Sequence, residues 1–329
     1  MRPRGDNIMK IASLFLAASL AVGLAAPAGA AEDYPARPIR LVVPFPAGST
    51  TDAMARFLGE RVGRALGQSV IVENKAGAQG SIAASEVSRA APDGYTLLVG
   101  TNSTQSANVH LFKKLAYDPE HDFAAITQFT MNPLVLVVRP DLPVQDVAQL
   151  IAYAKANPGK LNYGTGNTGS LAAAQMLKSM ADIQAVDVPY AGTPQAITDL
   201  LAGRLDFMIT DISVTRPYID AGKLRALAVT PRERVASLPD TPTLAQSGLP
   251  DYEFVAWGGL FAPAATPAPV VARLNQAFVQ ALQSEEATAF FAKQGQQAAP
   301  RTPQAFNDYV ASQTVLWGEL LAAAGQKKQ

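Results

Sequence analysis

Short apolar runs alternate with amphipathic stretches along most of the chain. Apolar, β-branched runs at 39–43, 69–73 and 95–99 predict strands, and the helical spacing of apolar residues at 52–66 and 79–90 predicts helices between them. This alternation is typical of a parallel sheet that is covered by helices on both faces. The pattern therefore predicts an α/β protein.

The alternation begins again after an apolar run at 134–138, which ends in Arg139-Pro140, where proline interrupts regular pairing. Two successive α/β units predict two lobes and a ligand cleft at the carboxyl ends of their strands. We expect residues 31–137 and 250–329 to form lobe one and residues 138–249 to form lobe two. The other predicted helices are 144–157, 169–180, 193–201, 269–283, 285–293 and 303–324, and the other strands are 160–163, 185–188, 205–209, 224–229 and 254–262.

A loop of small polar residues joins the first predicted strand to the first helix, in the stretch LVVPFPAGSTTDAMARFLGERV. Gly48 allows a turn, and Asp52 is predicted to cap a helix that starts at Ala53. Free amides and the helix dipole favour an anion at such a loop, and Ser49, Thr50 and Thr51 add hydroxyls. No Lys follows the glycine as in a nucleotide P-loop, so a carboxylate fits better than a triphosphate. The alternative is that these side chains only cap the helix.

The N-terminal thirty residues predict export. Basic residues precede an apolar stretch at 11–24, and Ala28-Gly29-Ala30 is typical of a signal-peptide cleavage site after Ala30. The alternative, an uncleaved anchor, is less favoured because the apolar stretch is short for a membrane span. Without residues 1–30 the chain has 24 basic and 26 acidic residues, so no basic surplus favours nucleic acid or anionic membranes. The chain has no Cys, which excludes disulfides and thiol nucleophiles.

A second polar loop, Gly164 to Gly169, spells G-x-G-x-x-G, and Asp187 follows it as the acidic residue of a dinucleotide site would. The preceding strand is short, the motif opens a second unit, and an exported protein does not normally meet free NAD. We therefore expect Thr165, Thr168 and Ser170 to hold a carboxylate from the second lobe. A third loop, 101–108, is equally rich in small donors, although it is also compatible with a plain polar loop.

Residue patterns for catalysis are sparse. The only histidines, His110 and His121, lack metal-ligand spacing, and no G-x-S-x-G motif is present. We expect His121 to lie in a surface turn, and Tyr190 and Trp257 to belong to the core or to a cleft wall. The sequence thus predicts no catalytic residues, no metal and no cofactor.

Stretches such as IRLVVPFPAGSTTDAMAR, APDGYTLLVG, YDPEHDFAAI, GKLNYGTGNTGS, DVPYAGTPQAITDLLAGRLDFMI and WGGLFAPAATPAPVVARLN resemble the Bug family, the substrate receptors of tripartite tricarboxylate transporters. The resemblance spans nearly the whole chain beyond residue 30. It implies a two-lobed type II periplasmic binding protein fold, in which each lobe is a mostly parallel sheet flanked by helices. It also implies a hinge, a cleft that grips a carboxylate through amides, hydroxyls and bound water, and delivery to membrane subunits of the transporter.

Three positions depart from the family pattern. Ser49 replaces a glycine, Ala173 replaces a usual His, and Ala191 replaces a usual Lys or Arg. The loss of a positive charge at Ala191 makes a citrate-like tricarboxylate less favoured. Dicarboxylates, amino acids such as aspartate or glutamate, nicotinate-like acids and aromatic acids such as terephthalate stay open as ligands.

The sequence and the resemblance together predict a periplasmic, monomeric binding protein and not an enzyme. The competing hypothesis is an exported two-lobed α/β enzyme that acts on a small carboxylate; it requires a nucleophile and base that the sequence does not offer. The predicted ligand-binding residues are Phe45, Ala47, Gly48, Ser49, Thr50, Asp52, Thr101, Asn102, Ser103, Thr165, Gly166, Thr168, Gly169, Ser170, Tyr190 and Asp211.

Overall fold

The computed structural model describes residues 34–323 and residue 328. Contacts divide the chain into two units, residues 1–36 and 37–329, and the fold described below is that of the second unit. The predicted signal peptide lies outside the described residues. Within the described residues, no helix is both long enough and apolar enough to cross a membrane.

The N-terminal strands and helices follow the predicted βαβ rhythm. Strand β1 pairs in parallel with β2 on one side and with β3 on the other. The helices between them cover the faces of these strands, as the amphipathic spacing predicts. The bounds are β1 Ile39–Val43, α1 Thr50–Leu66, β2 Val70–Asn74, α2 Ser81–Ser88, which follows a 3₁₀ turn at Ala78–Gly80, and β3 Thr96–Thr101.

The centre of the sheet is antiparallel, a feature that the prediction of mostly parallel strands did not include. Strand β4 (Phe123–Val138) is 16 residues long, whereas the sequence predicts only its last five residues. Its first part pairs with β9 (Val255–Pro263) and β10 (Gln297–Ala298), and its last part pairs with β7 (Phe207–Asp211) and β8 (Arg225–Val229). Strand β4 therefore links the two halves of a mixed sheet.

The middle of the chain repeats the α/β alternation. Strand β5 pairs in parallel with β6 and β7, and β7 pairs with β4. Helix α7 was not predicted, because Pro217 lies inside it and a proline usually breaks a helix. The bounds are α4 Val147–Ala156, β5 Asn162–Thr165, α5 Thr168–Ala181, β6 Val186–Pro189, α6 Thr193–Leu201 and α7 Ile212–Asp220.

Helices close the chain, and one of them returns to the third polar loop. That loop is helical, with a π-helical turn at Ser103–Ala107 followed by α3 (Asn108–Leu111). The last helix packs against it, with the Thr314 hydroxyl donating to Gln105 O at 3.4 Å. The bounds of the last helices are α8 Ala268–Leu282, α9 Glu285–Lys293 and α10 Pro303–Ala323. In the described residues the sheet order is β2-β1-β3-β9-β4-β7-β5-β6, with β8 and β10 added on β4.

The buried apolar side chains form separate clusters at the two ends of the sheet. Val42, Leu98 and Phe261 belong to a cluster at the β1–β3–β9 end, and Leu136 and Ile209 belong to a cluster at the β4–β7 end. Buried polar residues of β4, among them Gln128 and Thr130, lie in the part of that strand that pairs with β9. A site at this position is therefore held by strands that both cores fix.

Candidate functional site

A small polar cavity of about 30 Å³ lies between the half of the sheet that contains β1, β3 and β9 and the half that contains β5, β6 and β7. Six of its eleven lining residues are not among the predicted ligand-binding residues, and one of these six, Trp257, was named only as a possible cleft wall. A larger pocket of about 670 Å³ forms around Met131 and Arg232, but it contains none of the predicted ligand-binding residues. The small cavity is lined by Phe45, Thr51, Thr101, Asn102, Ser103, Asn132, Leu134, Asn167, Asp211, Ala256 and Trp257.

The first polar loop makes a tight turn before helix α1. Gly48 has φ +81°, and the Ser49 amide donates to Pro46 O at 3.2 Å. The prediction that Asp52 caps a helix from Ala53 is wrong, because the helix begins at Thr50 and Ser49 is its N-cap, with its Oγ accepting from the Asp52 amide. A serine can take this position because its hydroxyl satisfies an amide that has no partner in the first turn.

Asp52 holds the loop in shape and does not line the cavity. Its carboxylate accepts hydrogen bonds from the Gly48 amide at 3.0 Å, from Asn74 Nδ2 at 2.9 Å and from Arg56 Nε at 3.0 Å. Asn74 Nδ2 also donates to Phe45 O at 2.9 Å, so one buried network ties both ends of the loop together. Burial works to raise the pKa of Asp52, but the hydrogen bonds from Arg56, Gly48 and Asn74 outweigh it, and the pKa lies below its ordinary value.

An Asp52→Ala variant is expected to lose about 2 kcal/mol of unfolding free energy at pH 7, because the Gly48 and Asn74 donors lose a buried acceptor. The pKa of Asp52 is lower in the folded chain than in the unfolded chain. Its stabilisation is therefore present above about pH 4 and is lost as the pH falls through the folded-state pKa. Denaturant unfolding should show the variant and wild type converging in acid, with the exposed Asp251→Ala as the control. Equal stability at pH 7 would contradict this role.

The second polar loop uses most of its own donors. The Ser170 amide donates to Asn167 Oδ1 at 2.9 Å, and the Ser170 hydroxyl accepts from the Gly166 and Asn167 amides, each at 3.2 Å, which completes a capping box on α5. The Thr165 hydroxyl donates to Asp187 at 2.8 Å. A Cβ on Gly166 would lie 2.4 Å from Thr193 N, so the glycine motif packs against its own chain. This packing gives the glycines a structural purpose other than nucleotide binding.

Contacts between different segments join the walls around the cavity. Thr50 Oγ1 and Ser213 Oγ lie 2.8 Å apart, and the Thr168 amide donates to Ser103 Oγ at 3.3 Å. Pro46 packs so closely on Gly192 that a Cβ there would lie 2.5 Å from Pro46 Cδ. These contacts hold the walls together, and Asp211 and Asn102 line the cavity.

The third polar loop places Asn102 and Ser103 on the cavity wall. Asn102 Oδ1 accepts from the Trp257 amide at 3.4 Å, which fixes the asparagine against β9. The Thr101 hydroxyl is buried and has no hydrogen-bond partner among the described residues. The prediction of a donor-rich loop near the site is therefore consistent with the geometry, although the loop is helical.

Asp211 lies at the end of β7, where it precedes α7 and reaches the cavity. Burial raises the pKa of Asp211 to about 6, against hydrogen bonds from its own backbone and from Thr50. Tyr190, by contrast, does not reach the cavity. Its hydroxyl donates to Asp199 at 2.8 Å and is therefore engaged within the chain.

The predicted ligand-binding residues do not include Asn132, Asn167 or Thr51, although the Thr51 hydroxyl was noted in the first polar loop. Asn132 lies in the polar first part of β4, after Thr127, Gln128 and Thr130, so no distinct signal marks it in the sequence. None of the residues that line the cavity is Lys or Arg, whereas α1 and α5 both begin at it, through Thr51 and Asn167. Helix N-termini and neutral amides favour an anion of modest charge. His121 is 74% exposed, as predicted for a surface turn, and the described residues contain no group of three or more acidic or His side chains placed to hold a metal.

The mixed sheet with flanking helices is the α/β fold of periplasmic binding proteins. A protein of Rhodopseudomonas palustris, Rpa4515 with adipate, superimposes with a TM-score of 0.88 at 34% identity over 90% of this chain and 100% of that one. MatC of the same organism, with bound malate, gives a TM-score of 0.83 at 34% identity over 88% of this chain and 100% of that one.

Residues 54–326 match the family described as the tripartite tricarboxylate transporter family receptor. BugT of Bordetella pertussis is 34% identical to this chain over 326 residues, which is 98% of each protein. The chain belongs to this family of solute-binding receptors, and the predicted family and fold class are confirmed.

Proposed function

We propose that this chain is a periplasmic solute-binding protein that captures a small organic carboxylate in a cleft between two lobes. It delivers this ligand to the membrane subunits of a tripartite tricarboxylate-type transporter. The observation that carries the proposal is a cavity between two helix N-termini, lined by several neutral hydrogen-bond donors, one acid, Asp211, and no Lys or Arg. Such a site stabilises a carboxylate through amides and dipoles.

The donors divide into those that face the ligand and those that shape the loops. Asn102, Asn132, Asn167, Thr51 and Ser103 line the cavity and are assigned to the ligand. The first-turn amides of Asp52, Thr168 and Ser170 are already engaged by side-chain oxygens, and the other first-turn amides of α1 and α5 have no acceptor within their helices and are assigned to the ligand as further donors. Among the predicted residues, Phe45, Thr101, Asn102, Ser103 and Asp211 are cavity residues, whereas Ala47, Gly48, Ser49, Thr50, Asp52, Thr165, Gly166, Thr168, Gly169, Ser170 and Tyr190 are assigned to loop shape and closure.

Ligand entry requires the walls to separate. A cavity of about 30 Å³ is close to the liquid volume of one water molecule, so it is too small for a dicarboxylate. We assign the movement to two lobes, residues 31–137 with 250–329 and residues 138–249, hinged where β4 and β9 run between the two ends of the sheet. The contacts from Pro46 to Gly192 and from Thr50 to Ser213 then close the cleft.

The ligand class that fits best is a dicarboxylate. Two structural neighbours are described with adipate and with malate, and a row of neutral amides suits such an anion better than a citrate-like one. Amino acids and aromatic acids are the other classes to compare. We expect the exported protein, without residues 1–30, to be a monomer, and this form should be used to compare the ligands.

Calorimetry and thermal shift against adipate, malate, glutamate, terephthalate and citrate test the proposal. We expect a dicarboxylate to raise Tm as its concentration exceeds Kd, and dimethyl adipate, which lacks both charges, to give no shift. Mass spectrometry should recover the ligand unchanged after long incubation. No binding by any carboxylate would overturn the receptor proposal, and conversion above a heat-killed control would favour the enzyme hypothesis.

The affinity for adipate is expected to rise about three- to tenfold as the pH falls from about 7.5 to 6, because Asp211 then takes up a proton and no longer repels the ligand. Because the folded-state pKa of Asp211 is raised to about 6, the free energy of unfolding falls as the pH rises from about 4 to about 6, and the loss is complete above that range. Asp211→Asn should therefore remove the pH dependence and raise Tm at pH 7.5. Binding calorimetry and thermal unfolding in matched buffers measure the adipate affinity and the Tm. An adipate affinity of wild type that does not change with pH would contradict this role of Asp211.

A further inference from the structure

We propose that Gln296 is a positioning residue of this site, because it turns the amide N–H group of Asn132 toward the carboxylate. The inference rests on the proposed function. Gln296 Nε2 donates to Asn132 Oδ1 at 2.9 Å, and Asn132 lines the cavity. With its oxygen engaged by Gln296, Asn132 has its two N–H donors left for the ligand.

The register of the sheet places these two residues side by side. Strand β10 pairs with β4 so that Gln297 faces Met131 and Ala298 faces Thr130. One step further along the same antiparallel register, Gln296 lies opposite Asn132. Directly opposite residues project from the same face of a sheet, so the two amides meet without any distortion.

The segment that carries Gln296 is fixed by its neighbours. The Gln296 amide donates to Phe291 O at 2.9 Å, and Gly295 has φ +70°. A Cβ on Gly295 would lie 2.5 Å from Ser237 Oγ, so only glycine fits there without movement. Gln296 itself is 6% exposed, which leaves its side chain little freedom.

A buried amide beside an anion must present its nitrogen, because a carbonyl oxygen in the same place would repel the ligand. An isolated Asn can present either atom. Gln296 settles the choice for Asn132, and its own Oε1 is buried without a partner among the described residues. The hydrogen bond to Asn132 is therefore the one that the Gln296 side chain makes within the described residues.

The test is Gln296→Glu, since an ionised Glu only accepts hydrogen bonds and would turn Asn132 so that its oxygen faces the cavity. Adipate affinity is expected to match wild type while the introduced Glu is protonated and to fall about tenfold or more between pH 7 and 9. Gln296→Met, which removes the donor without adding charge, should lose a few-fold at every pH. Gln297→Glu adds the same charge at the next, exposed residue and should leave affinity unchanged.

A double-mutant cycle separates positioning from general damage. In an Asn132→Ala background, Gln296→Glu should have no further effect on adipate affinity, because no amide is left to turn. The proposal would be overturned if Gln296→Glu lowered adipate affinity equally in the wild-type and Asn132→Ala backgrounds. It would also be overturned if Gln297→Glu lowered adipate affinity as much as Gln296→Glu does.

A ligand-free measurement keeps the inference separate from the proposed function. The side-chain NH₂ signals of Asn132, identified by their absence in Asn132→Ala, should shift at pH 9 in Gln296→Glu and not in Gln297→Glu. If wild type binds no carboxylate, the proposed function fails, but the NH₂ signals of Asn132 still report on its hydrogen bond with Gln296. Unchanged signals in Gln296→Glu would overturn the positioning role.

Discussion

A Gly192→Ala variant is expected to bind adipate about a hundredfold more weakly than wild type while it keeps its fold. A Cβ at this position would lie 2.5 Å from Pro46 Cδ and 2.7 Å from Pro46 Cγ. The ring of Pro46 cannot rotate away, so the two loops cannot approach as closely as they do here. Gly192 has φ −178°, which alanine adopts freely, so the cost falls on the contact with Pro46 and not on the local backbone. Overpacking typically costs 1–3 kcal/mol, which corresponds to up to about a hundredfold in affinity.

Two controls isolate the closing contact. Ala191→Ser changes the exposed neighbour and should bind as wild type does. Pro46→Ala with Gly192→Ala removes the atoms that the new methyl group meets, so it should recover affinity relative to Gly192→Ala alone. Calorimetry measures affinity, and unfolding without ligand shows whether the fold is intact. Wild-type affinity in Gly192→Ala would mean that these loops do not close on the ligand.

Local signals explain which helices and strands could be predicted. Strand β1 and helices α6 and α9 begin and end at the predicted residues, because turn residues or prolines bound each of them. Strand β4 was underestimated because its first part contains Thr127, Gln128 and Asn132, which do not read as a buried strand. Their burial comes from partners far along the chain, such as Arg301, whose Nε donates to Gln128 Oε1 at 2.6 Å. Such partners are not visible in a local pattern.

The composition of the loops indicated which segments border the cavity, but not which of their hydrogen-bond donors line it. Small polar residues after strands drew attention to Asn102 and Ser103, which line the cavity. The hydroxyls of Thr165 and Ser170 look the same in sequence, yet internal hydrogen bonds engage both of them. Asn132 comes from the middle of a strand, so no loop signal could reveal it. Three-dimensional pairing decides which polar groups are left for a ligand.

An Asn167→Asp variant should separate capping from binding. Asn167 caps α5 through Oδ1 and also lines the cavity. Aspartate is as good an N-cap as asparagine and interacts well with the helix dipole, so the free energy of unfolding should change little. The new charge, however, replaces an amide N–H donor beside the ligand carboxylate. We expect adipate affinity to fall about a hundredfold or more, since a lost hydrogen bond to a charged group and like-charge repulsion act together.

The matched control is Ser284→Asp, which adds the same charge at the N-cap of α9, away from the cavity residues. It should leave both adipate affinity and Tm close to wild type. Lowering the pH toward the pKa of the introduced Asp should restore part of the affinity of Asn167→Asp, because the protonated carboxyl group can donate again. Calorimetry across this pH range, paired with unfolding at each pH, gives both readouts. If Asn167→Asp bound adipate as tightly as Ser284→Asp does, the carboxylate would not lie at the start of α5, and the donors of the first and third loops would have to hold it alone.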